Sequence, residues 1–168
     1  MKYFVFSDLH GSQSGLALLK RDIAYEKPDV LLCLGDISYG AYDQNSNAVR
    51  EFFQTNQIPI FAVKGNTDGA GDGQYLGFSL PLELTLPLGR KKAYLNHYPV
   101  FSGFGPDFIV ISGHTHVKML KDNYGTIYLN PGSIGKPRDD CPSYAIIGEE
   151  EIRLHNAEDY SLISRIRY

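Results

Sequence analysis

An alternation of apolar runs and amphipathic segments in the first 63 residues is the feature that most constrains the fold. Three runs are continuous and apolar, as is typical of strands buried on both faces. They cover residues 2–6, Asp29 to Leu34 and Pro59 to Val63, and the segments between them predict helices at residues 14–25 and 46–54. This βαβαβ order predicts a parallel sheet with helices packed on it.

Serine residues stand where both helices are expected to begin. Ser12 or Ser14 is expected to cap the first helix and Ser46 the second, because a serine hydroxyl can accept a hydrogen bond from a free N–H group of the first turn.

The second half of the chain is richer in strands. It contains short candidates at Leu82 to Leu86, Ala93 to Leu95, Phe108 to Ile111, Ile127 to Leu129, Ser143 to Ile147 and Ile152 to His155. Strands that follow a βαβαβ unit predict an α/β fold with a mixed sheet or two stacked sheets. Between the halves, Gly69 to Gly77 is rich in glycine and is predicted to form a mobile loop.

The length and net charge of the chain argue against several classes of function. The 168 residues fit a single domain, residues 1–168, with a sizeable core. The net charge of −3 provides no broad basic field for extended nucleic acid or an anionic membrane. Apolar runs fall well short of the roughly 20 residues of a membrane helix. Polar Ser7 and Asp8 interrupt the first apolar run, so no signal peptide is expected and a cytoplasmic location is predicted.

Residues with carboxylate, amide or imidazole side chains follow four of the predicted strands. They form the motifs Asp8-Leu9-His10, Gly35-Asp36, Gly65-Asn66 and Gly113-His114-Thr115-His116. Ligands bind beyond the carboxyl ends of the strands in an open parallel sheet, so these side chains are expected to converge. His97, after another strand candidate, can join them. Each piece alone is common in turns, but their ordered appearance at strand ends indicates one site.

The chemistry of this set favours a metal. Residues i and i+2 of an extended segment point to the same side, so Asp8 and His10 are expected to converge, as are His114 and His116. The glycines before Asp36, Asn66 and His114 lack a β-carbon, so they are expected to let the backbone and a ligand approach each other closely. Carboxylate oxygen together with imidazole nitrogen suits Mn, Fe, Zn or Ni, whereas Ca or Mg alone favours oxygen throughout.

The order of these motifs resembles that of the calcineurin-like metallophosphoesterase family. The family pattern is Asp-x-His, Gly-Asp, Gly-Asn, an isolated His and Gly-His-x-His, and it is matched here between residues 8 and 116. The short length, the opening Ser7 to Gly11 and the segment Asn130-Pro131-Gly132-Ser133 resemble the small bacterial and archaeal phosphodiesterases of that family.

The resemblance implies a four-layer α/β/β/α sandwich of two mixed sheets flanked by helices, with two divalent metals, manganese first among Mn, Fe, Zn and Ni. By position, one metal would be held by Asp8, His10 and His116, the other by Asn66, His97 and His114, with Asp36 bridging both. A metal-bridging hydroxide would attack phosphorus in line with the leaving group. Asp36, Asn66 and His97 are expected to be catalytic. The implied partner is a small phosphate ester, monoester or diester, with the subgroup favouring a diester.

The chain departs from the family at two places. Thr67 follows Gly65-Asn66 where many members have His, which protonates the leaving oxygen, or Cys. A threonine hydroxyl is a poor acid, so good leaving groups or metal-bound water are expected to compensate. The stretch 98–107 is barely long enough for a parallel crossover, so the helix found there in relatives is predicted to be absent or one turn long.

Two other functions fit parts of the sequence. A binding scaffold of the same fold, like the retromer subunit, is favoured by Thr67 and by the short crossover, and opposed by retention of every ligand position. A nucleotide-binding loop at Gly69 to Gly73 fails because the dinucleotide fingerprint needs glycine where Gln74 stands. The tyrosines Tyr3, Tyr160 and Tyr168 are compatible with a homo-oligomer interface and with an ordinary surface.

Overall fold

Two stacked β-sheets organise the chain in the computed structural model, which describes residues 1–40 and 43–168, with the backbone alone at residue 45. The strands are β1 (Tyr3–Phe6), β2 (Val30–Cys33), β3 (Ile60–Ala62), β4 (Glu83–Leu88), β5 (Lys91–Asn96), β6 (Phe108–Ile111), β7 (Met119–Asn123), β8 (Thr126–Asn130), β9 (Ser143–Ile147), β10 (Glu151–Asn156) and β11 (Leu162–Arg167). The α-helices are α1 (Gln13–Glu26), α2 (Asn47–Thr55) and α3 (Asp72–Leu76), and a 3₁₀ turn, Gln44–Ser46, precedes α2.

Both sheets are mixed. The first has the order β11-β10-β9-β1-β2-β3, in which β1, β2 and β3 are parallel, as predicted from the βαβαβ pattern. The second has the order β4-β5-β6-β8-β7, in which β5, β6 and β8 are parallel and the outer strands antiparallel. The parallel strands of each sheet end in the loops that carry the predicted motifs, so this topology positions the site.

Two apolar layers hold these elements together. Along β1, Phe4 and Phe6 face the helices, where they join Leu19 of α1, whereas Val5 faces the second sheet. This alternation follows from the pleat of a strand and explains why the strand is apolar at every position. Among the helices that the structure describes, none combines the length and apolar character needed to cross a membrane.

The two serine caps have different outcomes. The Ser12 hydroxyl accepts a hydrogen bond from the Gly15 N–H group at 3.1 Å, so Ser12 rather than Ser14 caps α1. Ser46 does stand at the N-cap position of α2, as predicted, but its side chain makes no capping hydrogen bond. It ends the 3₁₀ turn, and its hydroxyl donates to Asp43 instead.

The prediction of a mobile loop at Gly69 to Gly77 is wrong, because this segment contains α3. Leu76 is buried against the helix layer and Asp72 accepts a hydrogen bond from the Gly69 N–H group at 2.8 Å. One apolar anchor and one side-chain cap therefore order a segment whose glycine content indicated flexibility.

The connection 97–107 carries no helix, as its length predicted. It covers the outer face of the second sheet with aromatic side chains: the ring centroid of Phe104 lies 4.7 Å from that of Tyr94 and 5.1 Å from that of Phe108. The described helices pack on the first sheet.

Asp22 makes the stability of the fold depend on pH. It is fully buried in α1, and while Oδ1 accepts two hydrogen bonds from Arg21, Oδ2 has no hydrogen-bond partner among the described residues. Burial raises the pKa of Asp22 from 3.8 to about 6. In this window the folded protein keeps a proton that the unfolded chain has released, so stability falls as pH rises from about 4 to about 6.

The substitution Asp22→Asn removes this titration. At pH 7.5 the variant is expected to be more stable than the wild type by about 1–3 kcal/mol, and the difference is expected to vanish near pH 4. Urea unfolding of both proteins at several pH values measures it. A difference that is constant with pH would contradict the assignment to Asp22.

Candidate metal centre

All seven residues predicted for the site meet at one edge of the sandwich. Each follows the carboxyl end of a parallel strand: Asp8 and His10 follow β1, Asp36 follows β2, Asn66 follows β3, His97 follows β5, and His114 and His116 follow β6. The first four come from the first sheet and the others from the second, so the site lies where the two sheets meet.

Asp8, His10 and His116 form one group. The Nε2 atoms of His10 and His116 are 3.2 Å apart, and His116 Nε2 lies 3.3 Å from Asp8 Oδ1. Together with Asp36, each offers one ligand atom, and these atoms all lie within 4.8 Å of one another.

Asn66, His97 and His114 form the second group. Asn66 Oδ1 lies 3.0 Å from His97 Nε2 and 3.0 Å from His114 Nδ1, and the two ring nitrogens are 3.2 Å apart. Asp36 joins the groups, because its Oδ2 lies 3.5 Å from His10 Nε2 and 3.6 Å from His97 Nε2.

The donor atoms fit divalent cations. The Nδ1 atoms of His97 and His116 lie 2.7 and 2.6 Å from the carbonyl oxygens of Leu34 and Lys136. A carbonyl can only accept, so each Nδ1 carries the proton and each Nε2 turns a lone pair toward its group. Asp8 Oδ1 is buried without a hydrogen-bond partner among the described residues. Lone pairs and a carboxylate oxygen this close together suit a divalent cation between them.

Burial shifts the pKa values of two residues of the first group. It raises the pKa of Asp8 and lowers the pKa of His10 to about 4. His10 is therefore neutral at pH 7, the form that has a nitrogen lone pair for a metal. A bound cation would favour the ionised form of Asp8, against the effect of burial.

The backbone of the site is left-handed at most of these residues. Asp8, His10, Asp36, His114 and His116 have φ between 52° and 66°. This region is uncommon for residues other than glycine and often marks functional sites. Asp8 and His10 do converge, as do His114 and His116, but the predicted reason is wrong, since none of these segments is extended.

All three glycines permit the close approach that the sequence predicted, and a Cβ atom on Gly35 would stand 2.4 Å from the main-chain nitrogen of Gly65. A Cβ atom on Gly65 would stand 2.1 Å from Asp36 Oδ1, and one on Gly113 would stand 2.0 Å from the Ser7 hydroxyl. None of the three positions can accept a side chain unless the ligand loops move apart.

Sequence reasoning missed Asp68, a buried carboxylate beneath the two groups. Its Oδ2 accepts hydrogen bonds from the N–H groups of Asp36 and Gly65, both at 2.8 Å, and its Oδ1 accepts from Ile37 at 2.8 Å. Burial raises the pKa of Asp68, and these donors oppose the shift. Asp68 thus ties the loops after β2 and β3 together. The only sequence signal was an acidic residue two positions after Asn66.

Asn130 and Ser133 support the loop after β6 and the loop after β1. Asn130 Nδ2 donates to the carbonyl oxygen of Gly113 at 2.8 Å, and the Ser133 hydroxyl donates to that of Asp8 at 2.7 Å. The segment Asn130-Pro131-Gly132-Ser133, noted in the sequence for its resemblance alone, therefore has a structural role at the site.

The Thr67 hydroxyl is engaged in a hydrogen bond and is not free to act as an acid. It donates to the carbonyl oxygen of Ser38 at 2.7 Å, and the Thr67 N–H group donates to Asp36 Oδ1 at 2.8 Å. Thr67 thereby orients Asp36, so that Asp36 Oδ2 faces His10 of the first group and His97 of the second.

Comparison with known proteins identifies the family and the fold. The sequence profile of the calcineurin-like phosphoesterase superfamily domain matches residues 1–151. Phosphodiesterase YfcE of Escherichia coli strain K12 is 24% identical over 180 residues, covering 99% of this chain and 97% of the relative. The structure of YfcE, a phosphoesterase from E. coli, has a TM-score of 0.89 at 22% identity and 99% coverage of both chains. Vps29 from Entamoeba histolytica, complexed with Zn²⁺, has a TM-score of 0.68 at 20% identity, again with 99% coverage of both. These likenesses confirm the predicted fold, two mixed sheets flanked by helices.

Proposed function

Because the chain belongs to the calcineurin-like phosphoesterase superfamily, we propose that it is a phosphodiesterase that uses two divalent cations. The observation that carries the proposal is Asp36, whose Oδ2 lies within 3.6 Å of a histidine nitrogen of each ligand group. One carboxylate oxygen between two sets of nitrogen and oxygen ligands fits a shared, binuclear centre.

In this proposal Asp8, His10 and His116 hold one cation, Asn66, His97 and His114 hold the other, and Asp36 holds both. Two divalent cations, when bound, lower the pKa of a water molecule and neutralise charge on the phosphate. Manganese is proposed first, with Fe, Zn and Ni as the other metals that this donor set suits.

Asn66 is proposed to orient the substrate as well. It is exposed, unlike the buried His97 behind it. Because its Oδ1 faces His97 and His114, its Nδ2 group is left to donate to a phosphate oxygen. His97 supports this arrangement, since its Nδ1 is fixed by the Leu34 carbonyl oxygen and its Nε2 meets both Asn66 and Asp36.

A comparison of esters tests the diester assignment. With manganese present, the protein is expected to hydrolyse bis-p-nitrophenyl phosphate faster than p-nitrophenyl phosphate. A faster monoester would instead favour a phosphomonoesterase on the same centre.

The hydrogen bonding of Thr67 leads to a prediction about leaving groups. Its hydroxyl is engaged by Ser38, so no acid is offered there to the leaving oxygen. For a series of methyl aryl phosphates, log kcat/KM is expected to fall steeply as the pKa of the phenol rises, because the leaving oxygen departs with its charge. A rate independent of that pKa would show that an acid acts.

The second candidate is a binding scaffold, because Vps29 shares the fold. The closeness of all seven candidate ligands in this chain favours the enzyme. We also propose that residues 1–168 act as one domain, and that it acts in the cytoplasm. Cys33 and Cys141 are both free thiols, which suits a reducing compartment.

A further inference from the structure

Two tyrosines that the metal centre does not use stand beside it, one against each ligand group. The ring centroid of Tyr39 lies 5.2 Å from that of His10, and the ring centroid of Tyr98 lies 4.6 Å from that of His114. Tyr39 is 52% exposed and Tyr98 is 51% exposed. Each ring is thus held against a candidate ligand while about half of the side chain is open to solvent.

A lysine completes this surface on the Tyr39 side. The Lys136 ammonium group donates to the Tyr39 hydroxyl at 2.5 Å and lies 4.7 Å from the centroid of its ring. The carbonyl oxygen of Lys136 accepts from His116 Nδ1, which fixes its backbone to the centre. The ion pairs among the described residues do not include Lys136. Its charge is therefore oriented by an aromatic side chain and not neutralised by a carboxylate.

We propose that Lys136 and Tyr98 form a substrate subsite that selects phosphodiesters carrying a planar aromatic ring. Lys136, held by Tyr39, binds a non-bridging phosphate oxygen, and the Tyr98 ring stacks on the aromatic ring of the ester's second group. The inference rests on the proposed phosphodiesterase and names the class of its substrate.

The backbone and ring contacts of Tyr98 hold its side chain beside the second ligand group. Its N–H group donates to Asn96 Oδ1 at 2.9 Å, which fixes its backbone at the end of β5. The centroid of its ring lies 5.2 Å from that of His97 and 4.6 Å from that of His114. Stacking on an aromatic side chain is insensitive to the identity of the ring, so a nucleoside and a simple aryl group present the same chemistry.

Three esters with the same leaving group test the subsite in the manganese-loaded protein: the p-nitrophenyl phosphodiesters of methanol, phenol and thymidine 5′-hydroxyl. Both ring-bearing esters are expected to exceed the methyl ester in kcat/KM by about tenfold, from the strength of base–aromatic stacking. A nucleoside substrate would place the thymidine ester above the phenyl ester. Tyr98→Ala is expected to bring the ring-to-methyl ratio close to one, because the ring on which the ester's aromatic group stacks is lost.

Two further variants isolate the ring and the charge. Tyr98→Phe is expected to keep the preference, since it keeps the ring. Lys136→Met is expected to lower kcat/KM about tenfold for all three esters, because a hydrogen bond from a charged group is lost. As a control, Tyr124→Ala alters a tyrosine that is 97% exposed in the β7–β8 turn and is expected to leave the ratios unchanged.

Equal kcat/KM for the three esters in the wild type would overturn the subsite and leave the phosphodiesterase standing. Equal effects of Tyr98→Ala on all three would also overturn it. Absence of hydrolysis of every ester would instead reject the proposed function itself.

Discussion

Replacing Asp36 with asparagine is expected to lower kcat/KM for bis-p-nitrophenyl phosphate by about 1,000-fold, the value of roughly 4 kcal/mol of transition-state stabilisation. The Thr67 N–H group donates to Asp36 Oδ1, so an asparagine would keep its oxygen there. Its amide nitrogen would then face His10 and His97 in place of Oδ2. An amide NH₂ group cannot bind a cation, so both ligand groups would lose their shared ligand.

Asp107→Asn is the matched control. Asp107 is exposed just before β6, at the end of the strand away from the centre, and its replacement is expected to leave turnover unchanged. Thermal unfolding of both variants shows whether the fold is retained. A folded Asp36→Asn protein with more than a tenth of wild-type activity would contradict the role given to Asp36.

Asp68→Asn is expected to lower the free energy of unfolding by about 2–5 kcal/mol, since each buried N–H group that loses its acceptor costs about 1–3 kcal/mol. Both oxygens of Asp68 accept from main-chain N–H groups, so an amide NH₂ in either orientation would oppose at least one donor. Turnover is expected to fall as well, because the loops that carry Asp36 and Asn66 would separate. Urea unfolding and hydrolysis assays on the same protein measure the two effects.

Asp29→Asn provides the comparison for Asp68. Asp29 is exposed, and its side chain accepts one main-chain hydrogen bond, from Lys2 at 2.6 Å. Its replacement is expected to change stability by less than about 0.5 kcal/mol, as is usual at the surface. Equal losses for the two variants would show that Asp68 does not have the special role assigned to it.

The sequence predicted the elements whose side chains are repeatedly apolar or chemically unusual. The strands β1 and β2 are buried on both faces, so their residues are apolar at every position. The candidate ligands were identifiable because imidazole and carboxylate groups recur at strand ends. By contrast, β7 and β11 were not predicted, because they are edge strands with much exposed surface and little apolar alternation. They are specified by pairing with β8 and β10, which is a property of the tertiary structure.

The support of the centre was harder to predict than its ligands. Asp68 accepts hydrogen bonds from residues 30–32 positions earlier in the chain, and such pairings leave no local pattern. The left-handed backbone at His10 and His116 was missed for a related reason. The conformation is uncommon even for histidine, and the surrounding contacts impose it.

Metal stoichiometry tests the central claim, a binuclear centre shared through Asp36, most directly. Metal-stripped protein would be titrated with manganese while bound metal and hydrolysis of bis-p-nitrophenyl phosphate are measured together. We expect turnover to depend on manganese and to reach its maximum at two bound ions per chain. Maximal turnover with one bound ion, or none with two ions bound to folded protein, would contradict the account.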